Sequence, residues 1–164
     1  MSPRIRLFAT LLLAAAGALP AAARLGDTLP DLKKQFGPPE VQMEKRKDNA
    51  YWLFEGDDGQ LMYSVTFNAK GLSIAEGLKP LKLARFNKTR VMEFIDAQIA
   101  LIRESPTLHV IKPGELYNFA GRQYVGGVTE YVVVDDAHGV LIVWQQSGVP
   151  SVLVISPEMM NAAK

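Results

Sequence analysis

Between Leu108 and Ile155 the chain is written as short apolar runs separated by glycine-bearing turns, and this punctuation restricts the fold more than any other feature. The runs are Leu108 to Ile111, Leu116 to Phe119, Gln123 to Val125, Val128 to Val134, Val140 to Gln146 and Val152 to Ile155. Gly114, Gly121, Gly126-Gly127, Asp135 to Gly139 and Gly148-Val149-Pro150 stand between them. Strands joined by such brief connections pair antiparallel, so the pattern predicts a meander. It begins earlier, with Tyr51-Trp52-Leu53-Phe54, a turn at Asp57-Asp58-Gly59, Leu61 to Phe67, a turn at Asn68-Ala69-Lys70-Gly71, and a third strand from Leu72 to Leu78. Leu61, Tyr63, Val65 and Phe67 alternate with Met62, Ser64 and Thr66, which predicts one buried face.

Two segments follow a helical period instead. Leu29, Leu32 and Phe36 share one face of a short helix, which Asp27 or Thr28 caps and Gly37-Pro38-Pro39 closes. Val91, Phe94, Ile95, Ile99 and Ile102 form the apolar stripe of a longer one from Lys88 to Arg103, with Asn87 or Thr89 as cap and Ser105-Pro106 as stop. The predicted class is therefore α+β: antiparallel meander sheet packed against a short N-terminal helix and one longer central helix. Tyr51, Gly59 and Leu61 recur 80 residues on as Tyr131, Gly139 and Leu141, each triplet spanning a strand, an acidic turn and a second strand. This spacing suggests two tandem helix-plus-meander halves, 24–80 and 81–164, within one domain of residues 24–164.

The first 23 residues read as a secretory signal peptide. Arg4 and Arg6 precede an apolar run from Leu7 to Leu19, and Pro20-Ala21-Ala22-Ala23 supplies the small residues of a cleavage site. The apolar run is shorter than the roughly twenty residues that span a bilayer, so cleavage near Ala23 is expected, with no transmembrane segment afterwards. The expected location is the periplasm or the exterior. Removing Arg4 and Arg6 from 18 basic residues leaves 16 against 17 acidic ones, a balance that argues against nucleic-acid binding. The chain has no cysteine, so an oxidising compartment contributes no disulfides and a hydrophobic core must supply stability.

The order Leu25-Gly26-Asp27-Thr28, helix, Phe36-Gly37-Pro38-Pro39, Tyr51-Trp52-Leu53-Phe54 and Val65-Thr66-Phe67-Asn68-Ala69-Lys70-Gly71 resembles the small periplasmic SmpA/OmlA-like domain, which shares its fold with beta-lactamase inhibitor proteins. The resemblance covers about Leu25 to Leu78 and implies a helix-and-sheet binding module of the bacterial envelope. The assembly-machinery members are lipoproteins, whereas this chain has no cysteine to carry a lipid and continues for another eighty-odd residues. The inhibitor proteins have two tandem units stapled by disulfides, which a chain without cysteine lacks.

Local motifs for catalysis are missing: there is no Gly-x-Ser-x-Gly, phosphate loop or dinucleotide fingerprint. His109 and His138 are the only histidines, and Asp135, Asp136 and His138 share one turn whose short polar side chains suit bonds to their own backbone. Asp57-Asp58-Gly59 lacks the further oxygen ligands of a calcium loop, so no metal or cofactor is expected. Lys79, Lys82, Arg85, Lys88 and Arg90 put five bases in twelve residues without an acid between them. They are candidate contacts for an anionic lipid surface, an acidic polymer or an acidic partner, or else a solvated linker. Tyr131-Val132-Val133-Val134 and Leu141-Ile142-Val143-Trp144 are apolar on both faces, so their second face needs a cover. Either the other half of the chain, the long helix or a partner surface provides it, with Trp52, Tyr131 and Trp144 as candidate interface anchors. The function expected is an exported, soluble, non-enzymatic binding or scaffolding protein whose partner is another envelope protein or a second copy. Peripheral membrane contact is compatible with that reading. The alternatives are a hydrolase with a dispersed site and a carrier of an apolar small molecule.

Overall fold

The structure is a computed structural model and describes residues 25–42, 48–56, 59–81, 88–100, 102–148 and 150–162. The leader, the Asp57-Asp58 turn, Lys82, Arg85 and Asn87 lie outside the described residues, as do the side chains of Lys88, Thr89 and Arg90. The chain is mostly antiparallel β-sheet with few helices. In order it forms α1 (Leu29–Phe36), β1 (Val41–Gln42), β2 (Asn49–Gly56), β3 (Gly59–Phe67), β4 (Ser73–Pro80), α2 (Lys88–Ala100), β5 (Leu108–Ile111), β6 (Leu116–Phe119), β7 (Arg122–Val125), β8 (Glu130–Asp135), β9 (Val140–Gln145), β10 (Ser151–Ile155) and α3 (Pro157–Ala162).

One eight-stranded sheet runs β1-β2-β3-β4-β10-β9-β8-β5, and β6 with β7 makes a separate hairpin. A helix precedes each run of four sheet strands, and the last strands of the two runs, β4 and β10, pair antiparallel at the centre. A two-fold rotation perpendicular to the sheet would produce that order. The 80-residue correspondence needs correction at the level of single residues. The hairpin registers do match, since Tyr51 lies opposite Ser64 and Tyr131 opposite Trp144. The faces do not, because Leu61 joins the main core while Leu141 belongs to the cluster on the other side of the sheet.

Both predicted helices cover the same sheet face. α1 starts where Thr28 and Asp31 form a reciprocal capping box, with Thr28 N donating to Asp31 Oδ2 at 3.1 Å. It ends at Gly37, whose φ of 80° places it in the left-handed region and whose amide donates to the Lys33 carbonyl at 2.9 Å. That turn also presents the Gly37 carbonyl to Trp52 Nε1 at 3.0 Å. Phe36 then meets Trp52, Tyr63 and Phe54 edge to face, with ring centroids 5.8, 5.5 and 6.0 Å away. Val91, Phe94 and Ile95 of α2 complete the core over Leu78, Ile142, Trp144, Val152 and Val154. Losing the α1 cap by Thr28→Ala is expected to cost about 1 kcal/mol in chemical denaturation.

Among the described residues the opposite face is covered only in the second half. There β6 and β7, joined by a tight turn with Ala120 at φ 54° and Gly121 at φ 74°, fold back over the sheet. Phe119, 2% exposed, packs with Ile111, Val132, Val134 and Leu141, and Tyr117, Tyr124 and Met160 flank the cluster. The second face of the Tyr131 to Trp144 strands is therefore covered neither by the other half nor by the long helix, but by a hairpin inserted between β5 and β8. The predicted interface anchors become core residues: Trp52 is 2% and Trp144 7% exposed, and Tyr131 packs against the same cluster.

Candidate functional site

Facing pairs can be followed across the uncovered sheet face. One row runs Tyr51, Ser64, Gly77, Leu153, Val143 and Val132, and the next runs Leu53, Met62, Lys79. Over β8 and β9 this face lies beneath the hairpin, whereas over β2, β3, β4 and β10 none of the described residues covers it comparably. Leu53 and Leu153 are 36% and 45% exposed there. Beside them the face carries the small side chains of Ser64, Thr66, Ala75 and Gly77, flanked by Tyr51 and Met62, so it forms a shallow trough. Gly77 is needed for that shape: a Cβ on it would stand 2.9 Å from Ser64 Oγ and 3.2 Å from Leu153 Cδ2. The trough is bounded at one end by Lys79, which is exposed.

At the other end the sheet meets α3. Asn68 Nδ2 donates to Glu158 Oε2 at 2.9 Å, and Thr66 Oγ1 donates to Asn49 Oδ1 at 2.8 Å. Between these bonds opens a cleft of about 830 Å³ with an apolar floor of Leu29, Phe67, Ile74 and Met159 and a polar rim that includes Asp48, Asn68 and Glu158. A neighbouring depression of about 420 Å³ reaches His138.

The histidines are held by carboxylates. His138 Nδ1 lies 2.6 Å from Asp135 Oδ2, while Ser105 Oγ donates to Asp135 Oδ1 at 2.7 Å and Thr107 Oγ1 donates to the same oxygen. Burial alone would push the Asp135 carboxyl up, but the bonds from Thr107, Ser105 and His138 outweigh it and hold it below the ordinary carboxylate range. The turn's polar side chains thus do more than bond their own backbone: they tie the segment just before β5 to the β8–β9 turn. In this chain of bonds the acid stands between hydroxyl and imidazole, whereas activating a nucleophile needs the imidazole in the middle. His109 Nε2 lies 2.6 Å from Glu115 Oε1. Glu115 is held low first by the Lys112 amide and then by His109. Asp136 is exposed in its turn. Among the described residues no group of three or more His, Cys, Asp or Glu is placed to hold a metal, and no helix is long and apolar enough to cross a membrane.

Glu76 is the ionisable group that sequence reasoning missed. It sits on β4 between Ile74 and Leu78, on the core face, 1% exposed. Gln98 Nε2 from α2 donates to its Oε2 at 3.4 Å. The Tyr63 hydroxyl approaches without closing a bond of normal geometry, and Glu76 Oε1 has no hydrogen-bond partner among the described residues. Desolvation, reinforced by the Asp27 carboxylate, pushes the Glu76 carboxyl up to about 7 against the opposing pull of Tyr63, Ser73 and Gln98. A lone acid at the i+2 position between two aliphatics was its only signal in the sequence.

Of the predicted basic contacts the structure locates Lys79 on the open face, and places Lys88 and Arg90 in the first turn of α2.

No protein-family model matches the chain, and no curated protein matches it. Among solved structures it is similar to a cysteine-rich secretory protein, SAV1118, from Staphylococcus aureus subsp. aureus Mu50, at 14% identity and a TM-score of 0.39 over 83% of this chain and 46% of that one. An extracellular protein containing a SCP domain from Bacillus anthracis str. Ames gives 10% identity and a TM-score of 0.42, covering 96% and 51%. A DUF4309 family protein, YjgB, from Bacillus subtilis subsp. subtilis str. 168 gives 13% and 0.37, covering 79% and 78%. The chain spans about half the length of the first two. Likeness at this level assigns neither family nor activity.

Proposed function

We propose that this chain is an exported, non-enzymatic binding protein of the bacterial envelope, built as two helix-plus-meander halves of SmpA/OmlA-like character, whose recognition surface is the open face of β2, β3, β4 and β10. One observation carries the reading: the same sheet face that a hairpin covers in the second half is left uncovered by the described residues in the first, with Leu53 and Leu153 exposed on it. The leader-like N-terminus supports export to the periplasm or beyond. Wild-type protein and Leu153→Lys, immobilised in parallel and challenged with envelope extract, test it. Retention of a protein by the wild type and its loss in the variant is the expected result; equal retention by both would overturn the assignment of the surface.

A second reading, a carrier of a small amphiphile, is favoured by the cleft beside α3, whose apolar floor and polar rim suit a molecule with one charged end. Native mass spectrometry of protein purified from an exporting host should then show a retained small molecule, and Ile74→Trp should expel it.

A further inference from the structure

We propose that the open face is occupied by a second copy of this chain, in a two-fold dimer that seats the β6–β7 hairpin of each protomer on the uncovered sheet of the other. The inference rests on the reading of that face as a binding surface and names what binds there. The hairpin has two sides. Phe119, Tyr117 and Tyr124 point to its own sheet, and by strand alternation Leu116, Asn118, Gln123 and Val125 point away from it. Leu116 and Val125 lie directly opposite each other in the hairpin register and are each 59% exposed, a side-by-side apolar pair on an outer surface.

Each protomer therefore carries, on one side of its sheet, a raised hairpin with an aliphatic pair on its back over the second half, and over the first a trough whose floor bears hydroxyls and whose exposed aliphatics are Leu53 and Leu153. A two-fold axis lying between two such faces sets the hairpin of one protomer over the trough of the other, and the reverse, so that both patches leave water together. Within a chain β8 and β9 already take the inner, aromatic side of this hairpin on the same sheet face, which leaves its aliphatic back outward. A standard interface buries about 800 Å² per partner, and the two-fold makes this contact twice, so each copy of it need bury only about 400 Å². Asn118 and Gln123, beside the aliphatic pair, bring amide groups to the hydroxyls of Ser64 and Thr66 on the trough floor.

The test uses full-length protein purified from an exporting host, with mass read by native mass spectrometry and light scattering. Wild type is expected as a dimer. Leu153→Lys in the trough and Val125→Glu on the hairpin should each convert it to a monomer with an unchanged circular-dichroism spectrum and with the melting curve that the wild type shows when diluted to a monomer, because both positions are exposed in the lone protomer. Mixing the two variants should restore a dimer of mixed mass: one of its two contacts is wild type on both sides, and the other opposes lysine to glutamate. A wild-type monomer at every soluble concentration, or a dimer that survives both substitutions, overturns the proposal. A monomer that still captures an envelope protein through Leu153 removes self-association while leaving the binding reading intact; a monomer with no such capture removes both.

Discussion

Replacing Glu76 by glutamine is expected to stabilise the protein by about 3 kcal/mol at pH 8 and to change it little at pH 4. The carboxyl is raised from 4.5 to about 7 because burial among Val65, Leu78 and Val154 disfavours its charge. Below 4.5 the group is protonated in both folded and unfolded chains and contributes no penalty. Between 4.5 and about 7 the folded state holds a proton that the unfolded state has released, so stability falls as the pH rises, and above that range the full penalty applies. Glutamine keeps an acceptor for Gln98 and gains an amide that can donate to the Tyr63 hydroxyl, without a charge to desolvate. Urea denaturation of both proteins at the two pH values measures the difference. A gain of the same size at pH 4 and pH 8 would show that the effect is packing and not ionisation.

Trp52→Ala should lose about 3 to 5 kcal/mol, whereas Leu53→Ala, one residue along the same strand, should stay within about 0.5 kcal/mol. Trp52 fills the space between α1 and β3 and its indole N–H satisfies the Gly37 carbonyl, so truncation leaves both a cavity and an unpaired acceptor. Leu53 points to the opposite, open face, and its contribution to a lone protomer is small. Thermal melts of the two variants at a concentration where the protein is monomeric make the comparison. Similar small losses for both would place the tryptophan at a surface after all.

Elements whose signal lies in their own residues were legible. The alternation through Leu61 to Phe67 and the stripe from Val91 to Ile102 specify a strand and a helix by period alone, and Leu108 to Ile111 and Leu116 to Phe119 are bounded by glycine and proline turns. The helix after Lys88 ends at Ala100, and Ile102 to Glu104 continue as turn. The two-residue β1 and the final helix at Pro157 carry too few residues to show a period. What joins distant parts was not legible. An apolar strand shows that its second face needs a cover, yet Leu116 to Val125 look the same whether they extend the sheet or fold over it. Glu76 was hidden for a related reason: a single acid in a short strand is ordinary on a solvated face, and only the packing of α2 across β4 makes that position interior.

The pairing of β4 with β10 also fixes the order in which the molecule can be completed. Residues that face each other there, from Leu78 with Val152 to Ala75 with Ile155, lie 74 to 80 positions apart along the chain. As the polypeptide emerges N-terminus first, from a ribosome or a translocation channel, the first meander can form while the strand that seals its inner edge is still unmade. During that interval the main-chain groups along β4 are an open template for any passing strand, and closing so long a loop is slow compared with forming a local hairpin. A helper that holds or shields the chain until Ser151 to Ile155 arrive would therefore raise its yield, and unaided refolding should be most prone to aggregation at this step.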